Sequence, residues 1–261
     1  MQIKHFLFGA LASLLFLAPI QMWSQTSVTT WHYDNARDSA NTTETILTPT
    51  GVNKNTFGKL STKPVDGYIV GNPLYLPGVN VSGQGVHNVV YVATMHDSVY
   101  AFDADSASTS PLWMTSILSY SPAGATPVPA TVKKDTGTTG WIELGIVSTP
   151  VIDAVTGTLY LVAETYENAK VVHRLHALDV TSGLEKLGGP TTITATYTLN
   201  GAITTFADLY EMNRPGLLLD SFDLSNVDRV CDCSRTLHRG ASGNAHSVAI
   251  TVWISSDRCP R

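Results

Sequence analysis

The side chains of this chain that could do chemistry are few, and their spacing limits what they can do. His173 and His176 form an H-x-x-H pair. Three residues apart on a strand, they face opposite sides, which spoils a shared metal site; only a helix would bring them together. Cys231 and Cys233 share a face if extended, and His238 follows them. Zinc normally takes four ligands at characteristic spacing, and that pattern is missing here. His96 stands beside Asp97, with Asp103 further on, a set that could do acid–base work. Asp97 and Asp103 are more simply turn formers. No G-x-S-x-G, H-E-x-x-H or phosphate-loop pattern occurs. Asn41–Thr42–Thr43 and Asn80–Val81–Ser82 fit glycosylation sequons. The sequence therefore assigns no catalytic or cofactor-binding residue, no metal site and no cofactor.

The elements that would position these groups come from an internal repeat. One copy starts at Gly71 and the other at Val147. Pro73 matches Pro150, Tyr91 in VVYVAT matches Tyr160 in TLYLVAE, and Asp103 in YAFDAD matches Asp179 in HALDVT. Each copy predicts four short strands, near 72–77, 88–95, 98–103 and 111–118 in the first and 149–153, 157–165, 171–179 and 189–199 in the second. Between Asn88 and Met95, Val89, Tyr91 and Ala93 point one way and Val90, Val92 and Thr94 the other. Both faces are apolar or nearly so, and both must be covered, as in a stack of sheets. His96–Asp97–Ser98 reads as a tight hairpin, because Asp tolerates the required backbone angles. In Asp179–Val180–Thr181–Ser182–Gly183, Asp, Thr and Ser can bond local amides and Gly183 supplies a positive φ. Residues 119–140, rich in Pro and Thr, read as a mobile insertion. Phe57 to Pro64 reads as a further strand.

Composition and termini bound the class. Charged residues are 14% of the 261, and Gly, Thr, Ser, Val and Tyr are plentiful instead, which favours β-structure with many turns. A net charge of −5 gives no electrostatic case for nucleic acid or for anionic membranes. Lys4 and His5 precede the apolar run Phe6–Ile20, and QMWSQTS follows, the pattern of a secretory signal peptide over residues 1–24. The run is short for a membrane span, which needs roughly 20 residues. Export to the periplasm or the extracellular space is expected, with no membrane association once the signal is removed.

The phrase VVYVATMHDSVYAFDADSASTSPLW resembles the pyrroloquinoline-quinone (PQQ) type propeller repeat, whose pattern runs from V-Y-V through a hairpin to L-Y-A-L-D-x-x-T-G-x-x-x-W. Tyr100–Ala101–Phe102–Asp103 and Trp113 match in the first copy, and Leu175–His176–Ala177–Leu178–Asp179 with Ser182–Gly183 in the second, where Leu187 replaces the Trp. The resemblance covers about residues 50–200, with a possible third unit opening at Asn213–Arg214–Pro215–Gly216. It implies an all-β fold: an incomplete β-propeller of four-stranded blades over residues 25–219, with about two blades and partial flanking strands. It further implies that Trp113 docks between blades, and it gives Asp97, Asp103, Asp179 and Gly183 blade or turn roles. The same repeat serves quinoprotein dehydrogenases and non-catalytic scaffolds. The Asp base, calcium ligands and adjacent-Cys disulfide of the dehydrogenases find no counterpart here. The expectation is a binding or scaffolding module, more a non-enzyme than an enzyme, whose partner is an unknown protein or small molecule. The alternative is a remnant or relative of a PQQ-dependent oxidoreductase.

After Leu219 the sequence changes character. Residues 220–261 contain no Tyr and no Lys, but hold five of the eight Arg and all three Cys: Cys231, Cys233 and Cys259. The expectation is a divergent tail translated out of frame, leaving a fragment of a larger propeller that is unstable or aggregating by itself.

Overall fold

The computed structural model describes residues 26–34, 36–45, 47–55, 57–133, 140–194, 196–199, 202–220, 234–239 and 248–253. The apolar run at the N-terminus and the three Cys lie outside these residues, so the signal-peptide expectation falls there too. Among the described residues the fold is all-β and antiparallel, with one 3-10 turn at Ile117–Tyr120 and no α-helix. Among the described residues no helix is long and apolar enough to cross a membrane.

The first repeat forms a four-stranded meander: β1 (Leu74–Val81), β2 (Gly85–Ala93), β3 (Ser98–Asp103) and β4 (Trp113–Ser116), hydrogen-bonded in chain order. Alternating Val, Tyr and Ala in β2 and β3 suit a strand buried on both sides. Tyr91 sits opposite Leu74 on one side and Ala101 on the other. Past Pro77, β1 bulges between Leu76 and Val79, where Gly78 takes φ +66° and its amide donates to Asn88 Oδ1 at 3.0 Å.

Next come β5 (Thr126–Pro129) and β6 (Glu143–Leu144). The second repeat follows as β7 (Val151–Asp153), β8 (Thr158–Glu167), β9 (Lys170–Asp179) and β10 (Thr191–Thr192), again antiparallel neighbours in chain order. β8 is ten residues long, and β7 and β5 share its far edge. The two repeats superpose in hydrogen-bond logic. Tyr160 faces Ala177 as Tyr91 faces Ala101, each Ala two residues before the turn Asp. Ala104 N donates to Asn88 O at 2.8 Å, and Val180 N to Gly157 O at 3.1 Å. Asp103 Oδ1 accepts from Asp105 N at 2.9 Å, as Asp179 Oδ1 does from Thr181 N at 2.8 Å.

The two meanders pack face to face. Leu74, Val89, Tyr91, Ala93 and Ala101 of the first share one core with Ile152, Leu159, Leu161, Ala163 and Leu178 of the second. The opposite face of the first sheet buries Val92, Tyr100 and Phe102 under Val65, and that of the second buries Tyr160, Val162, Leu175 and Ala177 against Leu217 and Phe206. Each fully buried large side chain contributes about 1.5–3 kcal/mol relative to exposure.

The rest of the chain departs from expectation in three places. Residues 57–73 are extended but form no strand; they cross the outer face of the first sheet as a strap. The strap is tied by Lys63 Nζ to Ser108 O at 2.6 Å and by Met95 N to Tyr68 O at 2.9 Å, and not by a ladder. The 119–140 segment is no simple mobile insertion, for it supplies β5, and Lys133 beyond β5 is buried. The expected last strand of the second repeat divides: β10 pairs with β9, while β11 (Thr196–Leu199) turns back on β12 (Ala202–Thr205). Beyond it, β13 (Leu218–Asp220), β14 (Ser234–Arg239) and β15 (Val248–Trp253) form a sheet in the order β13-β15-β14. The expected break in the reading frame near Leu219 falls within β13, and most of the tail beyond it lies outside the described residues.

Candidate functional site

The residues singled out by the repeat gather at two places. The first is the seam between the meanders. Trp113, half-buried on β4, donates from Nε1 to Val180 O at 3.1 Å, and the Tyr91 hydroxyl donates to the same carbonyl at 3.0 Å. Thr115 Oγ1 donates to Gly183 O at 2.8 Å. Gly183 has φ +72°, and a Cβ there would lie 2.5 Å from Trp113 Cε3. Glycine is required at this position twice over, by the backbone angle and by the ring above it. Asp179 holds the turn, accepting from Thr181 N at 2.8 Å and facing Lys186 Nζ at 3.5 Å. Burial works against the Asp179 carboxylate, but the Thr181 bonds and Lys186 outweigh it and hold it below the usual aspartate value. Asp103 sits at the equivalent turn of the first sheet and pairs with His87 at 2.9 Å.

The second place is the hairpin end between β2 and β3. His96 and Asp97 are at one end of β3 and Asp103 at the other, so the three do not form one acid–base set. The partner of His96 is Glu143 on β6, with Oε1 at 3.0 Å and Oε2 at 3.1 Å from Nδ1. The His96 side chain is 46% exposed. A carboxylate-held imidazole of this kind is what general bases use. None of the hydrogen bonds of His96 links it to another imidazole or to a nucleophilic side chain beyond its own turn.

Asp97 takes φ +57°, as a tight turn of this type requires. Its carboxyl does not bond local backbone, however. It is fully buried, and neither oxygen has a hydrogen-bond partner. It lies against the backbone of Gly145, where a Cβ would come within 2.5 Å of Oδ1. Burial, reinforced by the negative charges of Glu164, Glu143 and Asp66, pushes Asp97 well above the usual aspartate value.

Behind the hairpin lies a buried charge network invisible in the repeat pattern. Glu164 on β8 meets Lys133 Nζ at 2.7 Å, with both side chains fully buried. Glu164 Oε1 also accepts from Asn213 N at 2.8 Å and faces His173 Nε2 at 3.3 Å. His173 Nδ1 lies 2.8 Å from Asp208 Oδ1. Lys133 further donates to the carbonyls of Asp208, at 2.6 Å, and Glu211. Asn213 donates from Nδ2 to Gly145 O at 2.9 Å and Val162 O at 2.8 Å. Burial disfavours a charged His173, yet Glu164 and Asp208 outweigh it and hold its value above that of an ordinary histidine. Burial likewise opposes ionised Glu164, and His173 with Lys133 overcomes it and lowers its value. Asn213, at the start of the possible third unit, thus closes this network. The one sign of the network in the sequence is Glu164 itself, a charge inside the apolar run of β8.

His173 and His176 do face opposite sides of β9: His173 stands opposite Glu164, whereas His176 stands opposite Leu161 and bonds Glu185 Oε2 at 3.1 Å. No group of three His, Cys, Asp or Glu among the described residues is placed to hold a metal. Cys231, Cys233 and Cys259 lie outside the described residues, and His238 is described only as backbone of β14. Asn80 is exposed at the end of β1, and Asn41 caps its own turn by accepting from Thr43 N at 3.1 Å. No family model matches the chain, and neither the curated proteins nor the solved structures yield a match.

Proposed function

We propose that the chain is an exported β-propeller module of the PQQ-repeat kind that binds or scaffolds and does not catalyse. The observation that carries this is the seam: two meanders of the same strand order, face to face, with Trp113 seated on the Asp179–Gly183 turn. Sheets apolar on both faces belong in a stack, and radial stacking of four-stranded sheets is what a propeller is. A ring takes at least about four blades, so two repeats imply further blades from elsewhere in the parent protein or from a partner. Residues 74–192 are thus one sector of a larger scaffold.

Two features favour binding over catalysis. His96–Glu143 has the form of a base but no assembled second group, and the buried Lys133, Glu164 and His173 are spent on one another and on Asp208. The rival, a PQQ-dependent oxidoreductase, makes a direct demand. Adding PQQ and calcium to the full-length protein is expected to give no quinone absorbance and no dye-linked oxidation of alcohols or sugars. A calcium-dependent quinone spectrum with turnover would replace scaffolding with oxidoreductase activity.

A further inference from the structure

Asp97 is a carboxyl with nothing to bond, in a turn that ties three parts of the structure together. Its own carbonyl accepts from Ile117 N at 2.7 Å, and its amide donates to Thr94 O at 3.2 Å. Thr94 O also accepts from Ile146 N at 3.3 Å, and Met95 N donates to Tyr68 O at 2.9 Å. The strap, the turn after β4 and the segment after β6 therefore all close on residues 94–97. Every charged group facing the Asp97 carboxyl is an acid. Asp66 reaches it from the strap, where its oxygens accept from Thr94 Oγ1 at 2.9 Å and Ser98 Oγ at 2.7 Å. Glu143 comes from β6, bound to His96, and Glu164 from β8, bound to Lys133 and His173. The nearby basic side chains, Lys133, His96 and His173, are already paired with carboxylates. With no placed metal set among the described residues, the proton is the cation that fits this carboxyl.

We propose that the hairpin end at residues 94–97 is a proton-operated latch: neutral Asp97 seats against Gly145, and ionised Asp97 drives the turn out, parting His96 from Glu143. The latch rests on side-chain geometry and not on the propeller assignment. A buried carboxylate with no partner is costly, and leaving the site is the direct way to hydrate it. The sign follows from the upward displacement of Asp97. The seated form holds a proton that the open form, at an ordinary carboxyl value, releases. Seating is therefore complete below the ordinary value and weakens as pH rises toward the value of the seated form. In that window the opening constant grows about tenfold per pH unit.

The test is amide exchange on the full chain as a function of pH, corrected for intrinsic rates. The Asp97, Ile117 and Ile146 amides are expected to show the tenfold slope. The β8–β9 ladder serves as the control that lacks it. In Asp97→Asn, which keeps the left-handed turn residue and removes the charge, the slope is expected to vanish. Retention of the slope in Asp97→Asn overturns the latch. Should that variant fail to fold, the native chain decides alone: a flat opening constant overturns the latch, and a slope confined to the hairpin amides supports it.

Discussion

At the residue scale, Gly183 and Glu164 make the sharpest demands. Gly183→Ala places a methyl into the Trp113 ring at a positive φ. Gly188 also has positive φ, at +83°, but open space around its Cβ position. Denaturant titration should show Gly183→Ala costing about 2–4 kcal/mol and Gly188→Ala about 1 kcal/mol. Equal costs would mean that the Trp113 contact is not made. Lys133→Met leaves Glu164 buried without its ammonium, and a broken buried pair typically costs about 3–5 kcal/mol. A loss under about 1 kcal/mol would show that Lys133 reaches solvent. Two pH effects come from the same network. Glu164, held low, contributes stability above its unfolded value that is lost as pH falls through the folded value. His173, held high, contributes stability below its unfolded value that is lost as pH rises through the folded value. A melting series in Glu164→Gln should lose the acid-side dependence; an unchanged acid limb would remove Glu164 as its source.

At the scale of elements, the repeat made seven of the strands legible. β1, β2, β3, β4, β7, β8 and β9 lie within a few residues of where the repeat and its turn chemistry place them. Trp113 could be picked out only through its place in the repeat pattern that the sequence resembles. β5 was hidden by Pro127 and Pro129, which make its sequence read as loop. Only the length of β8, extending beyond β7, gives β5 an edge to pair with. Lys133 and Asn213 were hidden for another reason. Their partners lie 31 and 49 positions away, and no local period encodes such contacts. The strap failed as a strand because its face is satisfied by side chains, Lys63 and Asp66, and leaves no ladder to form. Trp113→Phe should keep the packing and lose the bond to Val180 O, a cost of about 1 kcal/mol by denaturant midpoint. No loss would place the indole nitrogen in water.

At the scale of the whole molecule, the stack has an outer side that is still apolar. Phe57, Leu60, Tyr68 and Ile69 on the strap are 59%, 94%, 56% and 47% exposed. Large apolar side chains left this exposed are open to association with another surface. The isolated chain is expected to associate as its concentration rises, read by light scattering, and Leu60→Lys with Phe57→Lys should reduce this. A sharp, reversible melt of a monomer at every concentration would contradict that expectation.

The central claim is that the two meanders face one another across the Asp179–Gly183 turn. Ser82 Oγ and Thr181 Oγ1 are 3.2 Å apart across that seam, and Ser82 N donates to Thr181 O at 3.0 Å. With the native cysteines Cys231, Cys233 and Cys259 replaced by Ser, the pair Ser82→Cys and Thr181→Cys can be oxidised and mapped by peptide mass spectrometry. One intramolecular disulfide joining the peptides of residues 82 and 181 is expected, in high yield from the folded chain and lost in denaturant. Two free thiols in the folded, oxidised protein would contradict the stacked arrangement and, with it, the propeller assignment.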